Sequence, residues 1–364
     1  MRRIYTPDLI PGMITAEDVY NFNDQLIFPK GYKLTDKAIT MLASYSIPFI
    51  KIEESSLASA KIPEPEKPSI KNSPSYLDTL SASPEFKQFK QDFEEHLDNF
   101  QSSINDMVEK NAPIDANQML QGSMDILKDA RGGFHVFDML HNMRQFDDQT
   151  YAHCINVSLI CNVFAGWLGW SEEDTKIVTM CGLLHDIGKL KIPDSIIRKP
   201  AKLTDEEYNV VKTHSLEGYK ILVNSQVHDH VRNAALMHHE RYDGSGYPLG
   251  LSGNKIDMFA QVVAIADVYD AMTSARIYRP ALCPFKVVSL FEVEGLQKYE
   301  PKLILTFLEN VVNTYLQNNV RLNNGVVGRI VMINKASLSR PIIQTDDAYI
   351  DLMYTPELHI EALV

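Results

Sequence analysis

KIVTMCGLLHDIGKL, residues 176–190, repeats apolar side chains at helical spacing and then interrupts them with a histidine and an aspartate, His185 and Asp186. Leu183, Leu184 and Ile187 flank the pair, so an imidazole and an ionised carboxylate are expected on an otherwise buried helix. Burying both without partners is costly, and metal coordination is one of the few ways to offset that cost. Asp186 and Lys189 stand three residues apart and share a helical face, so the lysine can hold that carboxylate or a phosphate facing it. The same periodicity runs through VSLICNVFAGWLGW (157–170) and MFAQVVAIADVYDAM (258–272), which makes the chain from about residue 113 to 315 read as nearly all helix.

Working outward, four further histidines call for the same explanation: His153, His214 and the adjacent pair His238 and His239. A lone histidine on a helix is more often a hydrogen-bonded core or surface residue, but five of them with Asp186 and Asp267 form the imidazole and carboxylate set of hydrolytic metal sites. That mixture suits iron, manganese or zinc better than calcium or magnesium alone. Asp267 and Asp270 share a face at i and i+3 amid Val262, Val263 and Ile265. In HHERYDGSGYP (238–248) the double histidine runs into a loop. Neighbouring helical residues point about 100° apart, so both can be ligands only if metals occupy adjacent positions or the helix is ending. Gly244, Gly246 and Pro248 are turn-makers and favour the ending. Tyr247 then projects from a shaped loop, either to bind a base or phosphate or to pack on the domain.

This ordered set resembles the HD-GYP domains, a branch of the HD metal-dependent phosphohydrolase superfamily. The likeness rests on His185-Asp186-Ile-Gly-Lys189, His214 in THSLEGYKIL, HHERYDGSGYP, Asp267 and Asp270 in IADVYDAMTS, and Arg276-Ile-Tyr-Arg279-Pro, and it covers about residues 140 to 315. It implies a helical bundle around a metal centre, with His153, His185, Asp186, His214, His238, His239 and Asp267 as ligands. Asp186 would bridge two metals and act with Lys189 in catalysis. Lys189, Gly246, Tyr247, Pro248, Asp270, Arg276 and Arg279 would contact substrate. The implied activity is hydrolysis of cyclic di-GMP to pGpG or GMP by a hydroxide held between two divalent ions, iron or manganese. Members with a third metal carry a glutamate four residues before the first histidine; Gln149 stands there, so two metals are expected rather than three. Two other readings stay open: a sensor that binds the dinucleotide without turnover, which lost ligands would signal, and a hydrolase of another cyclic dinucleotide such as cyclic GMP-AMP.

The rest of the chain frames that domain. With 364 residues, 45% apolar and 23% charged, it exceeds what one core usually organises. The expected fold class is mainly α. A small N-terminal α+β module (1–53), read as regulatory, precedes a Pro- and Ser-rich linker (54–84). Connecting helices (85–131), the HD-GYP bundle (132–318) and a small C-terminal β appendage (319–364) follow. In the connecting region Phe86, Phe89, Phe93, Leu97, Phe100, Ile104 and Met107 form an apolar stripe, read as a helix packed on its own domain, with a homodimer seam as the other reading. Asn324-Gly325 between β-branched runs signals a hairpin. The net charge of -12 argues against a general nucleic-acid binder. Cys154, Cys161, Cys181 and Cys283 lack CxxC spacing and read as reduced thiols. No stretch approaches the roughly 20 uninterrupted apolar residues of a membrane span, so no membrane insertion and a cytoplasmic location are expected.

Overall fold

Phenylalanines at intervals of three and four bury one side of helix α1 (Pro84–Lys110), and that side forms part of a large core with the helices that follow. The computed structural model of the chain describes residues 2–20, 26–35, 38–39, 42, 47, 49–53, 80–110, 115–129, 133–143, 150–199, 201–275 and 280–364. They fall into two compact units, Met1–Pro68 and Ser69–Val364.

In the first unit β1 (Arg2–Tyr5) pairs antiparallel with β4 (Phe49–Ile52), and β2 (Val19–Tyr20) with β3 (Leu26–Phe28). Leu9, Met13, Phe28, Leu34, Leu42 and Ile52 make its small core. Thr35 caps a helical segment: its Oγ1 accepts from the Ala38 amide at 3.2 Å. Most of the expected linker, residues 54–79, lies outside the described residues, and residues 80–82 are already helical.

The second unit is helical through α2 (Ala116–Asp129), α3 (Gly133–Met143), α4 (Thr150–Leu168), α5 (Glu172–Leu184), α6 (Asp205–Lys212), α7 (His214–Val223), α8 (Asp229–Met237), α9 (Met258–Thr273), α10 (Pro284–Lys298) and α11 (Pro301–Thr314). Capping chemistry sets several starts. Thr204 and Glu207 form a reciprocal capping box at α6, and Ser171 accepts from the Asp174 amide at α5. Helices α4, α5, α8 and α9 pack on one another around the functional residues. By length and composition α4 could cross a membrane, but 67% of its apolar window is buried, as befits a core helix. Cys154, Cys161 and Cys181 are buried, Cys283 is half-buried, and all four are free.

Residues 319–364 form a five-stranded antiparallel sheet, ordered β8 (Tyr349–Asp351), β7 (Ile342–Gln344), β6 (Val327–Met332), β5 (Asn319–Leu322), β9 (Ile360–Leu363). Asn324-Gly325 turns the β5–β6 hairpin. Val320, Leu322, Ile330, Ile343 and Ile360 join the helical core, so the sheet extends the bundle instead of standing apart from it.

Two expectations follow from the packing of α1. Phe93 is 2% exposed within the core. Phe93→Glu should therefore lose about 3–5 kcal/mol and lower the melting temperature, with no clean change in mass by light scattering. A stable, soluble species of half the native mass would instead identify the stripe as a dimer seam. The second concerns His96, buried behind the stripe with its Nε2 3.1 Å from Ser123 Oγ. Burial pulls its pKa from 6.5 down to about 4, so the native state holds the neutral ring. That preference is fully present above pH 6.5 and is lost as pH falls toward 4, a change of about 3 kcal/mol. Thermal melts across this window should show a shallower decline for His96→Leu than for the wild type.

Candidate metal centre

The His185-Asp186 pair sits at a helix end. Helix α5 stops at Leu184, His185 caps it, and Ile187–Lys191 winds on as a 3-10 turn. The expectation of a continuous helix through the pair is therefore corrected. The turn keeps Lys189 on the Asp186 carboxylate, as the spacing of three implied. Helix α8 likewise stops at Met237, with His238 as its cap, so the two adjacent histidines leave the helix there and both turn toward one centre.

Three imidazoles are oriented by backbone carbonyls, those of His185 and His238 by the helices they end and that of His214 by the preceding helix α6. His185 Nδ1 donates to the Gly182 carbonyl at 2.7 Å, His214 Nδ1 to Val211 at 2.7 Å, and His238 Nδ1 to Ala234 at 2.9 Å. Each bond spends the ring's one N–H in the neutral tautomer and leaves an Nε2 lone pair facing inward. Burial pushes the pKa of His214 below the usual imidazole range and that of His238 well below it, so both rings are neutral. Their Nε2 atoms nevertheless face each other at 3.2 Å, two acceptors with no proton between them. Among the described residues, His185 Nε2 and Asp186 Oδ1 are buried without hydrogen-bond partners. A cation is the chemistry that satisfies all four atoms, and the donor set fits one.

Asp186 lies between two groups of potential ligand atoms, His214, His238 and His239 on one side and His153 and His185 on the other, each group within 4.8 Å. Its Oδ1 is 3.4 Å from His214 Nε2 and its Oδ2 is 3.3 Å from His185 Nε2. Burial alone would raise its pKa, but Lys189, His185 and His214 outweigh that and hold it well below the carboxylate range. Asp267 reaches both groups: its Oδ1 accepts from His153 Nε2 at 3.1 Å and its Oδ2 is 3.9 Å from His239 Nδ1. Burial would lower the pKa of His153, yet its bonds to Asp267 and Asp270 raise it to about 9, so without metal the ring carries a proton that a ligand would have to give up.

Asp270, expected among the substrate contacts, is buried behind the centre and accepts from His153 Nδ1 at 2.7 Å. Carboxylate, imidazole and centre then stand in the order that orients metal-binding histidines. Gly246 and the cis Tyr247-Pro248 bond shape the loop after the double histidine. A Cβ on Gly246 would sit 2.4 Å from Glu240 Cα, so only glycine fits that close approach. Tyr247 stacks on His239 with ring centroids 4.7 Å apart, while Pro248 is exposed. Gln149, Arg276 and Arg279 lie outside the described residues. Sequence reasoning missed Glu240, a buried carboxylate that accepts the Leu249 amide at 2.7 Å and the Leu251 amide at 2.9 Å and so ties the loop to the end of α8. Its signal was a charged residue lodged between the double histidine and a Gly-rich turn.

Comparison with known proteins agrees with this geometry. The HD domain profile matches residues 135–303. Cyclic di-GMP phosphodiesterase response regulator RpfG of Xanthomonas campestris is 42% identical over 160 residues, covering 43% of this chain and 42% of its own length. Cyclic di-GMP phosphodiesterase of Thermotoga maritima is 37% identical over 182 residues, covering 48% and 49%. The 3'3'-cGAMP-specific phosphodiesterase 1 of Vibrio cholerae is 40% identical over 151 residues, covering 42% and 34%. The chain thus spans about half the length, or less, of these curated relatives. Among solved structures, the HDG"Y"P protein Bd1817 of Bdellovibrio bacteriovorus shares the fold at a TM-score of 0.52 and 17% identity, over 84% of this chain and 97% of that one. With the His-Asp pair, the double histidine and the GYP loop gathered on one centre inside it, the region 135–303 is similar to the HD domain and, in that ordered set of residues, to its HD-GYP branch.

Proposed function

We propose that this protein is a metal-dependent phosphodiesterase that hydrolyses cyclic di-GMP to pGpG or GMP. The observation that carries the reading is the pair of potential ligand groups sharing Asp186, with a buried nitrogen and a buried oxygen that have no hydrogen-bond partner among the described residues. His153, His185, Asp186, His214, His238, His239 and Asp267 would hold two divalent ions, iron or manganese by donor set. When bound, such ions supply a water activated near neutral pH and positive charge against phosphoryl oxygens.

The chain's own groups do the rest. Lys189 is raised in pKa because the Asp186 carboxylate outweighs burial, so it stays charged where a phosphate oxygen would lie. Burial pushes the Cys154 thiol well above its usual range and keeps it protonated, and the attacking group in this reading is water. Asp270 acts by positioning His153. Tyr247 and the loop that Glu240 holds face the substrate, and Arg276 and Arg279 supply further phosphate contacts. These cations answer the repulsion that a chain of net charge -12 would otherwise offer a dianion.

A second reading, hydrolysis of cyclic GMP-AMP, is favoured by the Vibrio cholerae relative at 40% identity. The test is metal-reconstituted protein incubated with each dinucleotide, with chromatography of products over time and elemental analysis alongside. Time-dependent pGpG or GMP from cyclic di-GMP, with close to two metals per chain, is expected. Tight binding with no product would leave a sensor in place of an enzyme.

A further inference from the structure

A cavity of about 150 Å³ opens beside Lys189, and the HD domain match accounts for only part of its wall. Asp186 and Lys189 close its inner end. Phe100 and Ile104 of α1, which lies outside the matched residues 135–303, line it together with Tyr151 and Ile197. Asp194 and Arg198 stand at its mouth with side chains 81% and 79% exposed, and Arg198 Nε is 4.0 Å from Asp194 Oδ2. An exposed pair at that distance does little for stability. Its chemistry is more informative than its strength: a carboxylate and a guanidinium, one helical turn apart, border an aromatic and aliphatic slot that leads to a lysine.

We propose that this cleft is a guanine subsite and that Asp194 and Arg198 read the base; the inference rests on the function proposed above. Tyr151 and Phe100 meet edge to face with ring centroids 5.9 Å apart, so a planar base would lie against that pair and the aliphatic walls, with its phosphate toward Lys189. Guanine offers two donors, N1–H and the 2-amino group, on one edge and two acceptors, O6 and N7, on another. A carboxylate accepts from the first edge and a guanidinium donates to the second. Adenine has an acceptor at N1 and a donor amine at position 6, so it meets Asp194 with repulsion and offers Arg198 no O6. The subsite therefore selects a guanine-containing cyclic dinucleotide, and α1 takes part in that selection.

The test compares kcat and KM for cyclic di-GMP and for the base-free diester bis(p-nitrophenyl) phosphate in the full-length, metal-loaded protein. Variants are Asp194→Asn, Arg198→Met and the cleft-filling Ile197→Trp. Each should lower kcat/KM for cyclic di-GMP about ten- to hundredfold, mainly through KM and at native metal content. That loss should exceed any loss on the base-free ester at least tenfold. Equal losses on both substrates, or native kinetics on cyclic di-GMP, overturn the subsite. So does wild-type protein that turns over cyclic di-AMP as well as cyclic di-GMP. If the wild type cleaves the base-free ester but no cyclic dinucleotide, the proposed function itself fails.

Discussion

Asp186→Asn is expected to lose turnover and metal together. The side chain lies between two groups of potential ligands, with one oxygen toward His214 and the other toward His185, and one of its oxygens is buried without a hydrogen-bond partner among the described residues. An amide keeps the shape, but it replaces an anionic oxygen with a neutral one and the other with an N–H donor aimed at imidazole lone pairs or at Lys189. Mutating residues that only support metal ligands typically costs 10–100-fold. A shared ligand should cost more, so activity more than about a hundredfold down and metal content at least halved are the expected readings. Lys189 also loses the carboxylate that offsets its burial. Elemental analysis and product chromatography on the same preparation check both. Native metal content with native turnover would sink the two-centre assignment.

Much of this candidate site was legible because residues able to hold a metal are chemically conspicuous. A histidine and an aspartate amid Leu183, Leu184 and Ile187 have few inexpensive explanations, and the turn-makers after His239 correctly signalled the end of α8. What the pattern could not convey is where a helix stops on the strength of tertiary contacts. KIVTMCGLLHDIGKL continues its apolar spacing past Leu184, yet the backbone leaves the α-helix at Asp186. Asp270 shows a related limit. Its spacing from Asp267 fixed a face but not a depth, and the buried carboxylate accepts from His153 Nδ1. Glu240 escaped notice because a single glutamate in a polar loop reads as a solvated charge until the Leu249 and Leu251 amides are seen to converge on it. At the C-terminus the hairpin was evident from Asn324-Gly325, whereas packing of the sheet against the helical core depends on contacts far apart in sequence, which no local window records.

Gly188→Ala is expected to disable the centre from one residue outside the ligand set. The 3-10 turn Ile187–Lys191 lies directly on the first turn of α7, and a Cβ on Gly188 would fall 1.9 Å from the His214 carbonyl oxygen and 2.4 Å from the Gly218 amide nitrogen. Both obstacles are backbone, so no rotamer change relieves them. Either the turn carrying Asp186 and Lys189 or the helix carrying His214 must move. Overpacking of this kind costs about 1–3 kcal/mol or more, and the movement separates Asp186 Oδ1 from His214 Nε2, now 3.4 Å apart. Gly218, on the opposite side of the same contact, provides the control. Its added Cβ would meet Gly188 N at 3.2 Å and Ala235 Cβ at 3.5 Å, distances that a shift of a few tenths of an ångström accommodates. Gly188→Ala should therefore lower both the melting temperature and the metal content, while Gly218→Ala changes the first modestly and the second hardly at all. Equal behaviour of the two variants would show that the turn and helix α7 yield without disturbing the ligands, and the rigid seating of Asp186 against His214 would have to be abandoned.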